Sequence, residues 1–147
     1  MRQDLTDVKE LFKDTDKYIG TTVKVAGWVR NNRNSKNVGF LIVNDGTYFT
    51  PLQVVYSADT KDFEKLGNLN VGTAVIAEGK LVATPDAKQP FELQATSVEV
   101  EGESTPDYPL QKKRHSMEFL RTIPHLRART NTFEAVFKVR SLAAYAI

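Results

Sequence analysis

The residues best suited to chemistry are an aromatic, an amide and two cationic side chains within the β-rich stretch 22–56. Arg30 and Arg33 come first along the chain, and Phe40 and Gln53 follow. An aromatic ring can stack on a base, an amide can read the edge of that base, and a cation can hold phosphate. Brought together on one face of a sheet, these side chains would form a binding site for single-stranded nucleic acid.

The strands that must position these side chains are predicted from patterns of period two. Val23, Val25 and Val29 alternate with other residues, which predicts a first strand with one buried face. A second strand is predicted at 38–43 and a third at 51–56. The run NNRNSKN between the first two strands is rich in amides and cations, and it predicts a turn or surface loop.

The alternation of side chains along the second strand leaves two alternatives for Phe40. If Leu41 and Val43 face the core, Phe40 faces outward. The apolar run is unbroken, however, so a core position for Phe40 fits the pattern equally well. In the third strand, an inward Leu52 would turn Gln53 outward beside Phe40.

The remaining elements complete a small barrel. They are a helix at 6–17 capped by Thr6, a helix at 60–69, a fourth strand at 73–84 and a fifth strand at 91–100. The pattern predicts a mainly β protein, a five-stranded OB-fold Greek-key barrel with an N-terminal helix and a C-terminal helical linker segment. An SH3-like barrel is the alternative. The helix between strands three and four, Gly27 within the long first strand and Gly79 as a bulge favour the OB-fold.

The C-terminal part reads differently from the barrel. Residues 101–110 predict an exit linker, and a basic stretch at 111–130 includes a short helix at Ser116–Arg121. A second helix is predicted from Asn131, where Asn as the cap and Glu134 have the spacing of a capping box. That helix reaches the last residue without a stop signal, which predicts that the chain has been cut from a longer one.

Composition excludes several classes of function. The sequence has no cysteine and two histidines, which argues against thiolate chemistry and a Cys-based or His-rich metal site. It contains no glycine-rich phosphate loop and no HExxH motif. No apolar run approaches the ~20 residues that span a bilayer, and the N-terminus lacks a signal peptide. A cytoplasmic protein without a membrane partner is expected. Basic residues concentrate at 21–50 and 111–147, on either side of an acidic middle.

Two parts of the sequence resemble one family of enzymes. The segment YPLQKKRHSMEFLRTIPHLRART and the apolar helix after it closely resemble the junction between the anticodon-binding and catalytic domains of asparaginyl-tRNA synthetases. The motifs GWV, FLIVNDGT and LQVVY resemble the OB-fold of the class II subgroup that charges aspartate, asparagine and lysine tRNAs. The barrel motifs are specific to the subgroup, and the 111–130 stretch indicates the asparaginyl member.

The resemblance implies roles for individual residues. In that subgroup a second-strand Phe and a third-strand amide recognise the central uridine of the anticodon, and these match Phe40 and Gln53. Glu92 matches a charged residue that contacts a neighbouring anticodon base, and Arg30 and Arg33 match basic residues that approach the anticodon loop. The remaining candidates for contacts with the tRNA backbone are Lys36, Lys112, Lys113 and Arg114.

The resemblance also implies a division of the chain. Residues 1–103 would be the anticodon-binding domain, 104–130 a linker or hinge, and 131–147 the first helix of a truncated catalytic domain. The three class II motifs lie downstream of such a helix and are absent from the sequence. No catalytic residue, metal or cofactor is therefore expected for this chain, whereas the parent enzyme would use ATP and Mg. An asparagine tRNA is the expected partner, and the parent is expected to be a homodimer.

Three alternatives remain at this stage. The same barrel face could serve a sequence-tolerant single-stranded nucleic-acid-binding module. The chain could come from an aspartyl-tRNA synthetase relative, because the two anticodons share two bases. Finally, the 131–147 helix could form a protein-interaction or dimerisation module.

Overall fold

Five strands close into a barrel, as the sequence predicted. The computed structural model describes residues 4–87 and 89–147. The strands are β1 (Thr22–Asn34), β2 (Val38–Asn44), β3 (Leu52–Ser57), β4 (Ala74–Ala83) and β5 (Phe91–Gly102). Their order around the barrel is β1-β2-β3-β5-β4, with β4 returning to β1. All pairs are antiparallel except β3 with β5. This architecture confirms the prediction of an OB-fold with helices at both ends.

The helices are short except for the last one. They are α1 (Val8–Lys13), α2 (Thr15–Tyr18), α3 (Phe63–Gly67), α4 (Met117–Thr122) and α5 (Asn131–Ala146), with a 3-10 turn at Arg127–Arg129. The chain divides into two compact units, Met1–Pro109 with the barrel and α1–α3, and Leu110–Ile147 with α4 and α5. Within residues 4–87 and 89–147, every helix is too short or too polar to cross a membrane.

The barrel core follows the alternation of the strands. Val23, Val25 and Val29 of β1 are buried, and so are Leu41 and Val43 of β2. The other strands, α1 and α3 add apolar side chains to the same cluster: Leu52, Val54, Val75, Leu81, Phe91, Leu93, Val8, Leu11 and Leu66. Gly79 lies opposite a bulge and is not itself the extra residue, because Glu78 pairs with Ser97 and Gly79 with Ala95, which leaves Thr96 of β5 without a partner in the register. A Cβ at Gly79 would collide with the backbone of Gln94, so this close approach requires glycine.

The N-terminal helix differs from the prediction in its length and in its cap. The predicted helix 6–17 is interrupted at Asp14, so two helices take its place. Asp7, not Thr6, occupies the N-cap position of α1, and among the described residues its side chain makes no capping hydrogen bond. The Val8 N–H donates instead to Asp45 Oδ2 at 2.7 Å, and the Lys9 N–H donates to the Thr47 hydroxyl at 3.1 Å. The β2–β3 loop therefore caps α1 from a distance in sequence.

This capping arrangement predicts a difference between two aspartates. Asp45→Ala is expected to lower the free energy of unfolding by about 0.5–2 kcal/mol, the usual contribution of a side-chain N-cap. Asp7→Ala is the matched control and should leave stability nearly unchanged, because Asp7 is exposed and caps through its backbone alone. Urea unfolding of both variants measures the difference. Equal losses of stability in the two variants would contradict capping by Asp45.

Three further boundaries depart from the sequence prediction. The run 31–34, predicted as a turn or loop, belongs to β1, and only residues 35–37 make the turn. The predicted helix 60–69 is confined to α3, Phe63–Gly67. Asn131 was expected to cap the last helix, but it is the first helical residue, and Thr130 occupies the N-cap position. Glu134 does not form a capping box there; its carboxylate pairs with Lys138 at 2.8 Å.

Candidate nucleic-acid interface

A bulge in β1 determines which side chains face outward at its end. Val29 pairs with Val43, whereas Asn31 pairs with Ile42, so Arg30 is an extra residue in β1. An extra residue inverts the alternation beyond it. Arg33 consequently lies opposite Phe40 on the outer face, and without the bulge it would point into the barrel.

Asn32 takes the inward position and fixes this end of the strand. Its Nδ2 donates to the carbonyls of Leu66, Gly67 and Leu69 at 2.8, 3.1 and 3.2 Å. These carbonyls lie at the C-terminal end of α3 and just beyond it, where the donors of a continuing helix are missing. The Tyr56 hydroxyl donates to Asn32 Oδ1 at 3.4 Å. Burial raises the pKa of the Tyr56 phenol, so this donor keeps its proton at neutral pH.

Phe40 occupies the outer face of β2. Its strand neighbours Gly39 and Leu41 are buried, whereas Phe40 itself is partly exposed. The sequence left open whether Phe40 faces the core or the outside, and the structure places its ring on the outside. The Arg33 guanidinium carbon lies 5.8 Å from the centre of that ring, within the range of a cation–π contact. A cation and an aromatic surface thus occur side by side.

Gln53 and Glu92 form a second group on the same face. Phe40 pairs with Val55, so Gln53 is its diagonal neighbour on β3. Diagonal positions of an antiparallel pair are roughly 7–8 Å apart, within reach of long side chains. The parallel pairing of β3 with β5 brings Glu92 beside Gln53. Gln53 Nε2 donates to Glu92 Oε2 at 3.1 Å. The four side chains Arg33, Phe40, Gln53 and Glu92 are called the outer-face cluster below.

Gln89 supports the cluster and was not identified from the sequence. Its Oε1 accepts the Gln53 backbone N–H at 3.3 Å, and its Nε2 donates to the Pro51 carbonyl at 2.9 Å. Thr84 Oγ1 donates to the Gln89 carbonyl at 2.7 Å and closes the loop that carries it. The side chain of Gln89 thus replaces a neighbouring strand along the start of β3. In the sequence it lies between the predicted fourth and fifth strands, and no hydrophobic period or motif marks it as part of a site.

Asn31 is a second residue that the sequence analysis missed. It pairs with Ile42 on the outer face. Its Oδ1 is buried and has no hydrogen-bond partner within residues 4–87 and 89–147. Asn31 thus places a buried amide oxygen, without a protein partner in the described part of the chain, next to the outer-face cluster.

The other predicted contact residues lie outside the cluster. Arg30 is the partly buried residue of the bulge, and Lys36 is exposed in the β1–β2 turn. Lys112, Lys113 and Arg114 are exposed and belong to the C-terminal unit. Over the part of the chain that the structure describes, no group of three His, Cys, Asp or Glu side chains could hold a metal ion.

Comparison with known families identifies this barrel. Residues 23–101 match the family described as OB-fold nucleic acid binding domain, tRNA anti-codon. The chain belongs to this family. The matched residues of this OB-fold nucleic acid binding domain include all of β2 to β4 and all but one residue of β1 and of β5, and therefore the whole outer-face cluster.

The sequence is also similar to individual proteins of known name. The chain is 60% identical over 143 residues to an asparagine–tRNA ligase of Acetivibrio thermocellus, covering 97% of this chain and 31% of the relative. It is 57% identical over 140 residues to the asparagine–tRNA ligase of Alkaliphilus oremlandii, covering 95% of this chain and 30% of the relative. The chain therefore spans about 30% of the length of these curated relatives.

A solved structure has a similar fold. The asparaginyl-tRNA synthetase from Pyrococcus horikoshii, complexed with asparaginyl-adenylate, superimposes with a TM-score of 0.81 at 27% identity. The match covers 96% of this chain and 32% of that structure. The resemblance seen in the sequence to asparaginyl-tRNA synthetases is confirmed by these relatives.

Proposed function

We propose that the chain recognises the anticodon of an asparagine tRNA through its outer-face cluster. The observation that carries this proposal is the outward Phe40, with Arg33 at 5.8 Å on one side and the Gln53–Glu92 pair diagonally beside it. Single-stranded RNA is recognised by aromatic stacking, by hydrogen bonds to base edges and by cations near phosphate. One face of the barrel supplies all of these.

Each side chain then has a separate role. Phe40 stacks on the central uridine, and the Gln53 amide reads the edge of that base. Glu92 lies toward a neighbouring anticodon base. Arg33 and Arg30 attract the phosphates of the loop, as does the exposed Lys36. The identity of the relatives as asparagine–tRNA ligases supports asparagine tRNA as the partner.

The remaining proposals concern the longer protein. Residues 1–103 act as the anticodon-binding domain, 104–130 as the linker, and 131–147 as the first helix of a catalytic domain. Lys112, Lys113 and Arg114 add contacts to the tRNA backbone. The complete protein would ligate asparagine to its tRNA in the cytoplasm, with ATP and Mg, as a homodimer. Its relatives, about three times longer than this chain, support this proposal.

A titration with three tRNAs tests the proposed recognition. Asparagine, aspartate and lysine tRNAs all carry a central uridine, and their anticodons differ at the flanking positions. The chain is expected to bind asparagine tRNA more tightly than aspartate or lysine tRNA, and a fourth tRNA without a central uridine, added as a control, least tightly. Equal affinity for all tRNAs and for an unrelated single strand would overturn the proposal and favour a sequence-tolerant binder.

Arg33 is expected to act through charge on every RNA alike. Arg33→Ala should weaken all stem-loops similarly and flatten the slope of log affinity against log salt by about 0.7–0.9, the contribution of one phosphate contact. Lys80→Ala, which removes an exposed cation of β4, is the matched control and should leave the slope unchanged. Titrations at several salt concentrations give both slopes. If the slope of log affinity against log salt is unchanged in Arg33→Ala, Arg33 does not contact a phosphate and other residues do.

A further inference from the structure

The Gln53 side-chain amide is held in one orientation by its neighbour. Gln53 Nε2 donates to Glu92 Oε2 at 3.1 Å. An ionised carboxylate accepts hydrogen bonds and donates none. If the amide turned over, Gln53 Oε1 would face Glu92 Oε2, and two acceptors would oppose each other. Glu92 therefore permits only the orientation in which the nitrogen faces it.

The backbone beneath the amide is fixed as well. The Gln53 N–H donates to Gln89 Oε1, and the Pro51 carbonyl accepts from Gln89 Nε2. Gln53 also lies in the paired part of β3, opposite Ile42. The side chain thus starts from a rigid strand, and its far end is tethered to a second strand. What remains for a ligand is one Nε2–H donor and the acceptor Oε1.

Uracil and cytosine present opposite patterns to such an amide. Uracil offers the N3–H donor beside the O4 acceptor, whereas cytosine offers the N3 acceptor beside the N4 amino donor. A freely rotating amide pairs with either base by turning over. A locked amide pairs with only one of them when stacking on Phe40 fixes the position of the base.

We propose that Glu92 is a positioning residue whose carboxylate locks the Gln53 amide and thereby sets the preference for uracil over cytosine at the stacked base. This inference rests on the proposed function, and it adds a role for Glu92 beyond contact with a neighbouring base. The lock places Oε1 toward the uracil N3–H and the remaining Nε2–H toward O4. Cytosine meets a donor where it carries its amino group and an acceptor where it carries N3.

Glu92→Gln tests the lock with little change in size. A glutamine at this position can either accept from Gln53 or donate to it, so both amide orientations become possible. Wild-type chain is expected to bind a central-uridine stem-loop about 5- to 150-fold tighter than its central-cytidine counterpart, the range supplied by one bidentate base contact. Glu92→Gln is expected to lose most of that ratio, chiefly by binding the cytidine stem-loop better.

The matched control is Glu99→Gln. Glu99 is an exposed carboxylate on the same strand, so its replacement removes the same charge at a distance from Gln53. Glu99→Gln should keep the wild-type ratio of affinities for the two stem-loops.

A second measurement on the free protein shows whether a loss of this ratio comes from the Gln53 amide or from misfolding. In the free protein, the side-chain amide resonances of Gln53 should shift in Glu92→Gln and stay in place in Glu99→Gln.

The outcomes separate this inference from the proposed function. The lock is supported if Glu92→Gln loses the preference in affinity for the central-uridine over the central-cytidine stem-loop and Glu99→Gln keeps it. A retained ratio, together with a changed preference at a neighbouring anticodon base, overturns it and leaves Glu92 as a direct base contact. A wild-type chain that binds no stem-loop, or binds both alike, overturns the proposed function and the lock with it.

Discussion

Phe40→Ala is expected to weaken binding of a central-uridine anticodon stem-loop by about 1–3 kcal/mol, the usual contribution of one base–aromatic stack. The ring lies on the outer face beside Arg33, so its removal takes away the surface on which the base rests. The slope of log affinity against log salt should stay unchanged, because no phosphate contact is lost. Titration of wild type and variant at several salt concentrations measures both quantities.

Two other substitutions at the same position serve as controls. Phe40→Tyr keeps the aromatic face and should bind nearly as well as wild type. Phe40→Leu keeps apolar bulk without a π-surface and should resemble Phe40→Ala in affinity. If Phe40→Ala binds as tightly as wild type, the ring does not carry a base. The recognition surface then lies elsewhere on the molecule.

Gly39→Ala is expected to destabilise the barrel by about 1–3 kcal/mol or more, the range observed when a well-packed core is overfilled. A Cβ at Gly39 would collide with the phenol ring of Tyr56. That ring is 1% exposed and is held by its hydrogen bond to Asn32, so it cannot withdraw without breaking packing. The same shift would move Phe40, the next residue, and reduce RNA binding.

Gly102→Ala is the matched control for this prediction. A Cβ at Gly102 would meet only the Cβ of Ala74 at 3.9 Å, an ordinary contact, and stability should change little. Thermal or urea unfolding of both glycine variants measures the contrast. A Gly39→Ala variant as stable as wild type would show that Tyr56 does not pack over Gly39 in solution.

The fold was predictable because its core obeys local patterns. Val23, Val25 and Val29 alternate in the sequence and are buried in the barrel. The 31–34 segment was not predictable as strand, because three of its residues are asparagines, which are depleted from strands. Here Asn32 turns inward and satisfies the carbonyls at the end of α3. Tertiary contacts thus override the local preference.

The site was predictable in its residue types but not in its geometry. The alternation of the second and third strands predicted that Phe40 and Gln53 share a face. It could not predict on which face Arg33 lies, because the outward position of Arg33 depends on the bulge at Arg30. The hydrogen bonds of Gln53 with Gln89 and with Glu92 join residues 36 and 39 positions apart. Such pairs depend on how β3 and β5 meet, and no local pattern contains that information.

The most direct test of the account is a map of backbone amide shifts when the chain is titrated with an asparagine anticodon stem-loop. The outer-face cluster should show the largest shifts, at Arg33, Phe40, Gln53 and Glu92, with Gln89 following because it supports Gln53. Residues of α1 should change little. Shifts confined to α5, or to the exposed Trp28 and Phe49, would contradict recognition by the outer face.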